Sequence, residues 1–202
     1  MKTLVIATHN RKKAGEMVAI LSQGLPGIEI KTLADYPGAI EPEESADTYI
    51  GNALIKARSA RDFTGEWSLA DDAGLEIDAL PGNLGVHSKR FAGDTSFEEK
   101  MAIILDSLKD VPTEARSARF RCAIALVGPE GEESAFEDTC EGRMASSSSG
   151  AGGFGYDPIF WLEERGCTMA DLTAEQKHAV SHRGKVLRRL IEHLKVSRQS
   201  AT

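Results

Sequence analysis

A β-branched and apolar run, Thr3-Leu-Val-Ile-Ala-Thr8, leads with no linker into an amphipathic helical pattern. Few folds accept that opening. A strand apolar at consecutive positions belongs inside a sheet rather than at its rim. Asn10 stands where a helix N-cap is wanted, and Ala14, Met17, Val18 and Leu21 fall on one face at helical spacing. Ile28 to Leu33 then reads as a second strand. A central strand followed at once by a helix and another strand predicts helices layered on a sheet.

The rest of the chain keeps that interleaving. Tyr36 to Asp47, rich in Pro, Gly and Glu, reads as a loop. Thr48 to Phe63 reads as a helix with Tyr49, Ala53, Ala57 and Ala60 on one face. Two short strands follow, Ser68 to Asp72 and Gly74 to Ala79, and Pro81 to Gly93 is irregular. Ser96 and Glu99 have capping-box spacing ahead of an amphipathic helix marked by Phe97, Met101, Ile104, Leu105 and Leu108. Arg119 to Val127 alternates as a long strand, Glu130-Gly131 signals a turn, and Glu132 to Met144 returns. Ile159 to Leu162 is strand-like, and Thr173 with Gln176 can cap a short helix. His182 to Val196 forms the last helix, burying Leu187, Leu190, Ile191 and Leu194. This order predicts an α/β or α+β domain with a mixed sheet.

The length of 202 residues suits a single domain over 1–202, with 197–202 as a disordered tail. No apolar run approaches the ~20 residues that span a bilayer. The N-terminus lacks the longer apolar region and small-residue cleavage site of a signal peptide. Cys122, Cys140 and Cys167 are scattered and odd in number, so a disulfide framework and a zinc site are both disfavoured and a cytoplasmic setting is expected. The formal net charge of −7 argues against a nucleic-acid surface. Basic residues gather instead in two places, Arg11 to Lys13 and Lys177 to Arg189, which suits a small, highly charged anion, although Arg188 and Arg189 read as a solvated helix face.

Four constellations carry chemistry. Thr8-His-Asn-Arg-Lys-Lys13 lies at a strand-to-helix junction, where backbone N–H groups and the helix dipole favour phosphate. It lacks the Walker A spacing, and a capped helix with a solvated basic first turn accounts for the same residues. Asp71 and Asp72 end an apolar strand, with Glu41, Glu43, Glu44 and Asp47 on the preceding loop. Adjacent carboxylates repel unless a cation intervenes, and magnesium answers that need; it is favoured over one Asp capping a turn beside a solvated one, because a phosphate-holding cluster also needs charge neutralisation. Glu41 and Glu43 read as solvated. Asn52 and Lys56 share a helix face and could reach a phosphate or order an acid, although a solvated pair on an alanine-rich helix is the simpler reading. Lys177 and Ser181-His-Arg-Gly-Lys185 could meet a phosphate or a base edge, or form a capped basic turn. Between the last two lies Ser149-Gly-Ala-Gly-Gly-Phe-Gly-Tyr-Asp-Pro-Ile-Phe160, whose glycines permit close backbone approach and whose Phe154 and Tyr156 offer rings to a base. No GxSxG motif or triad is evident, so metal-assisted attack of water on a phosphate is the best chemical class.

Five segments, Ala7-Thr-His-Asn-x-x-Lys13, Tyr49-Ile-x-Asn-Ala53, Ala70-Asp-Asp-x-Gly-Leu75, Gly153-Phe-Gly-Tyr-Asp-Pro158 and Ser181-His-Arg-Gly184, occur in order. Together they resemble the inosine/xanthosine triphosphate pyrophosphatases, a house-cleaning nucleotide hydrolase family, over about residues 2 to 195. The resemblance implies an α/β fold: an elongated mixed sheet flanked by helices, in two lobes around a central nucleotide-binding cleft, assembled as a homodimer. It implies Mg²⁺-dependent hydrolysis of (d)ITP and XTP to the monophosphate and pyrophosphate, with no nucleic acid or membrane partner. By the same resemblance, Asp72, Asp71 and Lys13 are catalytic, and Asp72 is the base for the attacking water. Glu44 and Asp72 hold the metal. Thr8, His9, Asn10, Arg11, Lys12 and Lys13 bind the triphosphate, and Asn52, Lys56 and Ala73 also bind substrate. Phe154, Gly155, Tyr156, Asp157, Lys177, His182 and Arg183 hold the nucleotide and read its base.

Four positions depart from the family pattern. His9 replaces a typical glycine, Gly51 a common acid, Ala73 a common serine and Leu84 a common proline. A pyrophosphatase for other modified nucleotides and a non-catalytic nucleotide sensor are the competing expectations. The intact Lys13 and Asp72 argue against the sensor.

Overall fold

The computed structural model describes residues 1–82 and 84–199. Its strands are β1 (Thr3–Ile6), β2 (Glu29–Thr32), β3 (Trp67–Ile77), β4 (Ser117–Val127), β5 (Glu133–Met144), β6 (Phe160–Leu162) and β7 (Cys167–Thr168). Its α-helices are α1 (Arg11–Gly24), α2 (Tyr49–Thr64), α3 (Phe97–Ser107), α4 (Ala174–Val180) and α5 (His182–Gln199). The strands form one sheet in the order β2-β1-β3-β4-β5-β6-β7. It is mixed, as expected: β1 runs parallel to β2 and β3, whereas β6 is antiparallel to β5 and β7. The chain is therefore α/β.

β1 is buried along its whole length because it has a hydrogen-bonded neighbour on each side. Its register sets Thr3 opposite Glu29 and Leu4 opposite Trp67. Parallel neighbours need long crossovers, and α1 and α2 lie in those connections. The two short strands expected at Ser68–Asp72 and Gly74–Ala79 are a single strand, β3. Gly74 is absent from the positive-φ glycines, so the backbone stays extended through it. The adjacent aspartates do not break the strand because cations meet them, as described below. β4 was expected to bury alternate residues, and it also buries Ala123, Ala125 and Val127. Small side chains between the larger ones let both sheet faces be covered.

The chain divides into two compact units. The first comprises residues 1–72, 122–138 and 183 onward; the second comprises 73–121 and 139–182. In the first, Ala53, Ala57 and Ala60 of α2 pack with Val5, Ala7, Ala70, Ala125 and Val127. A helix face made of alanine allows the helix backbone to approach the sheet closely. At the end of α1, a Cβ on Gly24 would fall 2.4 Å from Ile191 Cδ1 of α5, so a larger residue there would force Ile191 to shift. The second unit has its own core, including Leu75, Ile104, Leu108, Phe120, Met144, Tyr156 and Phe160. The expected tail at 197–202 falls partly on α5, which runs to Gln199, and 200–202 lie outside the described residues. No helix among the described residues is long and apolar enough to cross a membrane.

Candidate active site

Successive residues of a strand face opposite ways, and Asp71 and Asp72 therefore have different surroundings. On one side, the alanine face of α2 brings Asn52 and Lys56 against the strand. Asn52 Nδ2 donates to Asp72 Oδ2 at 3.1 Å, while Asn52 Oδ1 accepts the Ala46 N–H at 2.9 Å. Lys56 Nζ donates to the Asp71 carbonyl at 2.6 Å and to Glu44 Oε1 at 2.7 Å, and lies 3.8 Å from Asp72 Oδ1. Asn52 and Lys56 are not the solvated pair of the simpler reading: they are 1% and 5% exposed.

On the other side, Asp71 meets two cations. Lys13 Nζ lies 3.3 Å from Oδ2, and Arg183 donates from Nε and Nη2 at 3.1 and 2.8 Å. Arg183 Nη1 continues to Glu16 Oε2 at 2.8 Å. Opposite charges thus alternate through Lys13, Asp71, Arg183 and Glu16. Burial would raise the Asp71 pKa, but the charges of Lys13, Arg183 and Lys56 and the guanidinium hydrogen bonds outweigh it and hold the carboxyl well below the usual range. Burial and the Asp71 charge push the neighbouring Cys122 thiol up to about 12, so it stays protonated with its sulfur 4.0 Å from Asp71 Oδ2. For Asp72 the balance goes the other way. Burial raises its pKa and the charge of Glu44 adds to the rise, with Lys56 and the Asn52 hydrogen bond opposing. Two neighbouring carboxylates are therefore driven apart in proton affinity, the pattern expected where one must stay ionised and the other must exchange a proton.

The expected metal ligands can be tested against this geometry. Glu44 and Asp72 come from separate segments and both face the Lys56 ammonium. Glu16, Glu44, Asp71 and Asp72 are set against Lys13, Lys56 and Arg183, leaving an excess of negative charge among these groups. No group of three or more His, Cys, Asp or Glu among the described residues could hold a metal. A set of two carboxylates suits Mg²⁺, which keeps several waters, whereas zinc would want a fuller protein ligand set.

The Thr8–Lys13 loop is built as its sequence suggested, with the amides of His9, Asn10, Lys12 and Lys13 already occupied. Asn10 caps α1, its Oδ1 accepting from the Lys12 and Lys13 N–H groups at 3.1 Å. Thr8 Oγ1 accepts from Asn10 N–H at 3.1 Å. The His9 N–H donates to Glu41 Oε1, and His9 Nε2 lies 3.0 Å from the Ala39 carbonyl. Glu41, expected to be solvated, is half-buried on this contact; Glu43 is exposed, as expected. Arg11 and Lys12 are exposed on the first turn of α1.

In the second unit, Gly153 and Gly155 hold positive φ, and a Cβ on Gly153 would fall 2.1 Å from Asp157 Oδ2. That oxygen accepts from the Phe154 N–H at 2.8 Å and from Lys177 Nζ at 2.7 Å. Lys177 Nζ also lies 4.4 Å over the Phe154 ring. Tyr156, expected to offer its ring to a base, is buried: its hydroxyl donates to the Ser88 carbonyl at 2.7 Å and its ring meets Phe97 edge-on. Phe154 is the partly exposed ring of the pair. The His182 ring stacks on Phe120 at 4.8 Å. Ala73 is half-buried at the start of this unit. Arg183 was read together with His182 as a base-edge donor, yet its guanidinium belongs to Asp71 and Glu16.

Glu16, Ser88 and Cys122 were not singled out as parts of these clusters, and Glu41 was placed with the acids rather than with the Thr8–Lys13 loop. Glu16 had a signal, since it lies one helical turn beyond Lys13. Cys122 and Ser88 depend on pairings between distant segments, which no local pattern reports.

Residues 4–193 match the model of the Ham1 family. The chain is 47% identical to the dITP/XTP pyrophosphatase of Geobacter sulfurreducens, covering 96% of this chain and 97% of that protein. It is 44% identical to the dITP/XTP pyrophosphatase of Desulforamulus reducens, covering 95% and 94%. The solved structure of the Staphylococcus aureus Ham1 protein superposes with a TM-score of 0.85 at 34% identity, covering 97% of this chain and 100% of that one.

Proposed function

The chain belongs to the Ham1 family, and from that premise we infer that it is a nucleoside triphosphate pyrophosphatase. It hydrolyses deaminated purine nucleoside triphosphates, dITP and XTP among them, to the monophosphate and pyrophosphate. The observation that carries the chemistry is the pair Asp71 and Asp72, one pinned as an anion by Lys13 and Arg183, the other raised toward proton exchange.

Forming pyrophosphate breaks the bridge between the α- and β-phosphates, so a water must be activated beside it while negative charge builds on the departing oxygen. Asp72 is the base for that water. Asn52 fixes its orientation by holding Oδ2. Glu44 and Asp72 would hold Mg²⁺, which neutralises phosphate charge and lowers the pKa of bound water. Lys13 and the Thr8–Lys13 loop meet the triphosphate and stabilise the charge on the leaving group. Lys56 sets the spacing of Glu44 and Asp72 by lying between them. Asp71 takes no proton; it keeps Lys13 and Arg183 in place.

In the second unit, Phe154 to Asp157, Lys177 and His182 take the nucleoside. Hypoxanthine and xanthine present an O6 acceptor where adenine presents an amino group, so donors there favour the deaminated bases. Because the Arg183 guanidinium is engaged elsewhere, its part in base reading falls to its main chain. Residues 1–202 act as one catalytic domain. A homodimer in the cytoplasm follows from the same resemblance.

The test is pyrophosphate release with Mg²⁺ from ITP, dITP, XTP, ATP and GTP. We expect the deaminated nucleotides to turn over about 100-fold faster or more than ATP and GTP. Equal rates on all five would refute base selection.

A further inference from the structure

We propose that Glu41 is a built-in competitor for the anion loop: its carboxylate occupies the His9 amide until a triphosphate displaces it. The proposal rests on the reading that the Thr8–Lys13 loop takes the triphosphate. The amides of His9, Asn10, Lys12 and Lys13 are all engaged. Those of Asn10, Lys12 and Lys13 are held by the loop's own side chains, Thr8 and Asn10. The His9 amide is held by a group from a distant segment, and that group is an anion. A carboxylate oxygen seated on a loop amide is chemically what a phosphate oxygen would be there.

The segment carrying Glu41 is fastened by a second contact. His9 Nε2 lies 3.0 Å from the Ala39 carbonyl, and since a carbonyl can only accept, the ring nitrogen is the donor. Burial along the strap alternates. Ala39 is 8% exposed, Ile40 76%, and Glu41 is again half-buried. Ala39 meets the His9 ring through its carbonyl and Glu41 meets the His9 amide through its carboxylate, so the strap engages one residue at two points. A glycine at position 9 would keep the amide and lose the ring that latches the strap.

Occupation of this kind lowers the apparent affinity for any anion by the fraction of molecules in which the strap is displaced. A triphosphate carries enough charge to overcome it, and a weakly charged anion does not. Glu41 and His9 thereby set a charge threshold at the loop.

The experiment is calorimetric binding of inorganic triphosphate in metal-free buffer, with melting temperatures recorded for each protein. Glu41→Gln should bind about 5-fold more tightly than the unaltered protein, because the competing anion is gone. His9→Gly should shift affinity the same way by a smaller factor. Glu43→Gln removes an equal charge from an exposed neighbour on the same loop and should change affinity by less than about 2-fold. Lys13→Ala should weaken binding, which certifies the loop as the triphosphate site. The proposal is overturned if Lys13→Ala weakens binding while Glu41→Gln does not tighten it, or if Glu43→Gln tightens it equally. Should Lys13→Ala leave affinity unchanged, the assignment of the loop itself fails and the competitor role fails with it.

Discussion

Asp71 and Asp72 are adjacent and both lie near Lys56, yet their carboxyls meet different partners. Asp71 faces Lys13 and Arg183, and its carboxyl is held below the ordinary 3.8 despite complete burial. The unfolded chain protonates this group near about pH 3.9, while the folded chain resists protonation until lower pH. Ionised Asp71 therefore contributes its full stability above the unfolded pKa and loses it as pH falls toward the folded one. Urea unfolding of the unaltered protein and Asp71→Asn, both in EDTA, should show a stability gap that is constant above about pH 5. Below about pH 4 the gap should narrow by about 1.4 kcal/mol per pH unit. A gap that holds steady down to about pH 3 would show that the ion pairs do not set the pKa. The sequence identified both aspartates as a costly pair. Which one would face the cations depends on strand register and on Arg183 in a distant segment, so the residues by themselves did not divide the roles; only the family resemblance named Asp72 the base. The same distance explains why the Arg183 guanidinium was expected at the base.

Elements were legible where a local signal was strong. The caps at Asn10, Ser96 and Thr173 and the buried face of α2 follow their sequence patterns because each depends on residues within a turn or two. β3 was misjudged because Gly74 and two charges look like a break, and the neutralising cations come from α1, α2 and α5. Gly51, in the first turn of α2, carries a prediction of its own. A Cβ there would lie 2.6 Å from the Ala46 Cβ and 2.9 Å from Thr48 Oγ1, the atom that caps the helix. The acid that the family resemblance leads one to expect at this position therefore has no space here. Gly51→Glu should lower stability by about 1–3 kcal/mol through overpacking, and Ala46→Gly in the same protein should recover most of the loss. Thermal melts of the single and double variants decide it; a single variant as stable as the unaltered protein would show that Ala46 does not exclude the side chain.

At the scale of the whole molecule, each compact unit has its own core and its own polar cluster. The first gathers Lys13, Glu44, Asn52, Lys56, Asp71 and Asp72, suited to phosphate and metal; the second gathers Phe154, Asp157 and Lys177, suited to a base. Order along the chain shows neither grouping, because β3 and β4 pass from one unit to the other and the phosphate-side residues are spread from Lys13 to Arg183. Motif order made the family legible; the partners of each charge became visible only in the fold. Burial matters as much as composition does, since it raises the proton affinity of Asp72 while the ion pairs hold that of its neighbour Asp71 down. The most direct measurement is steady-state pyrophosphate release from ITP with Mg²⁺ by Asp72→Asn, alongside calorimetric binding of ITP. If Asp72 activates the water, kcat should fall by about 10³-fold while ITP binding and the melting transition persist. Turnover within a few-fold of the unaltered protein would contradict the assignment of Asp72 and the catalytic role of the cluster around it.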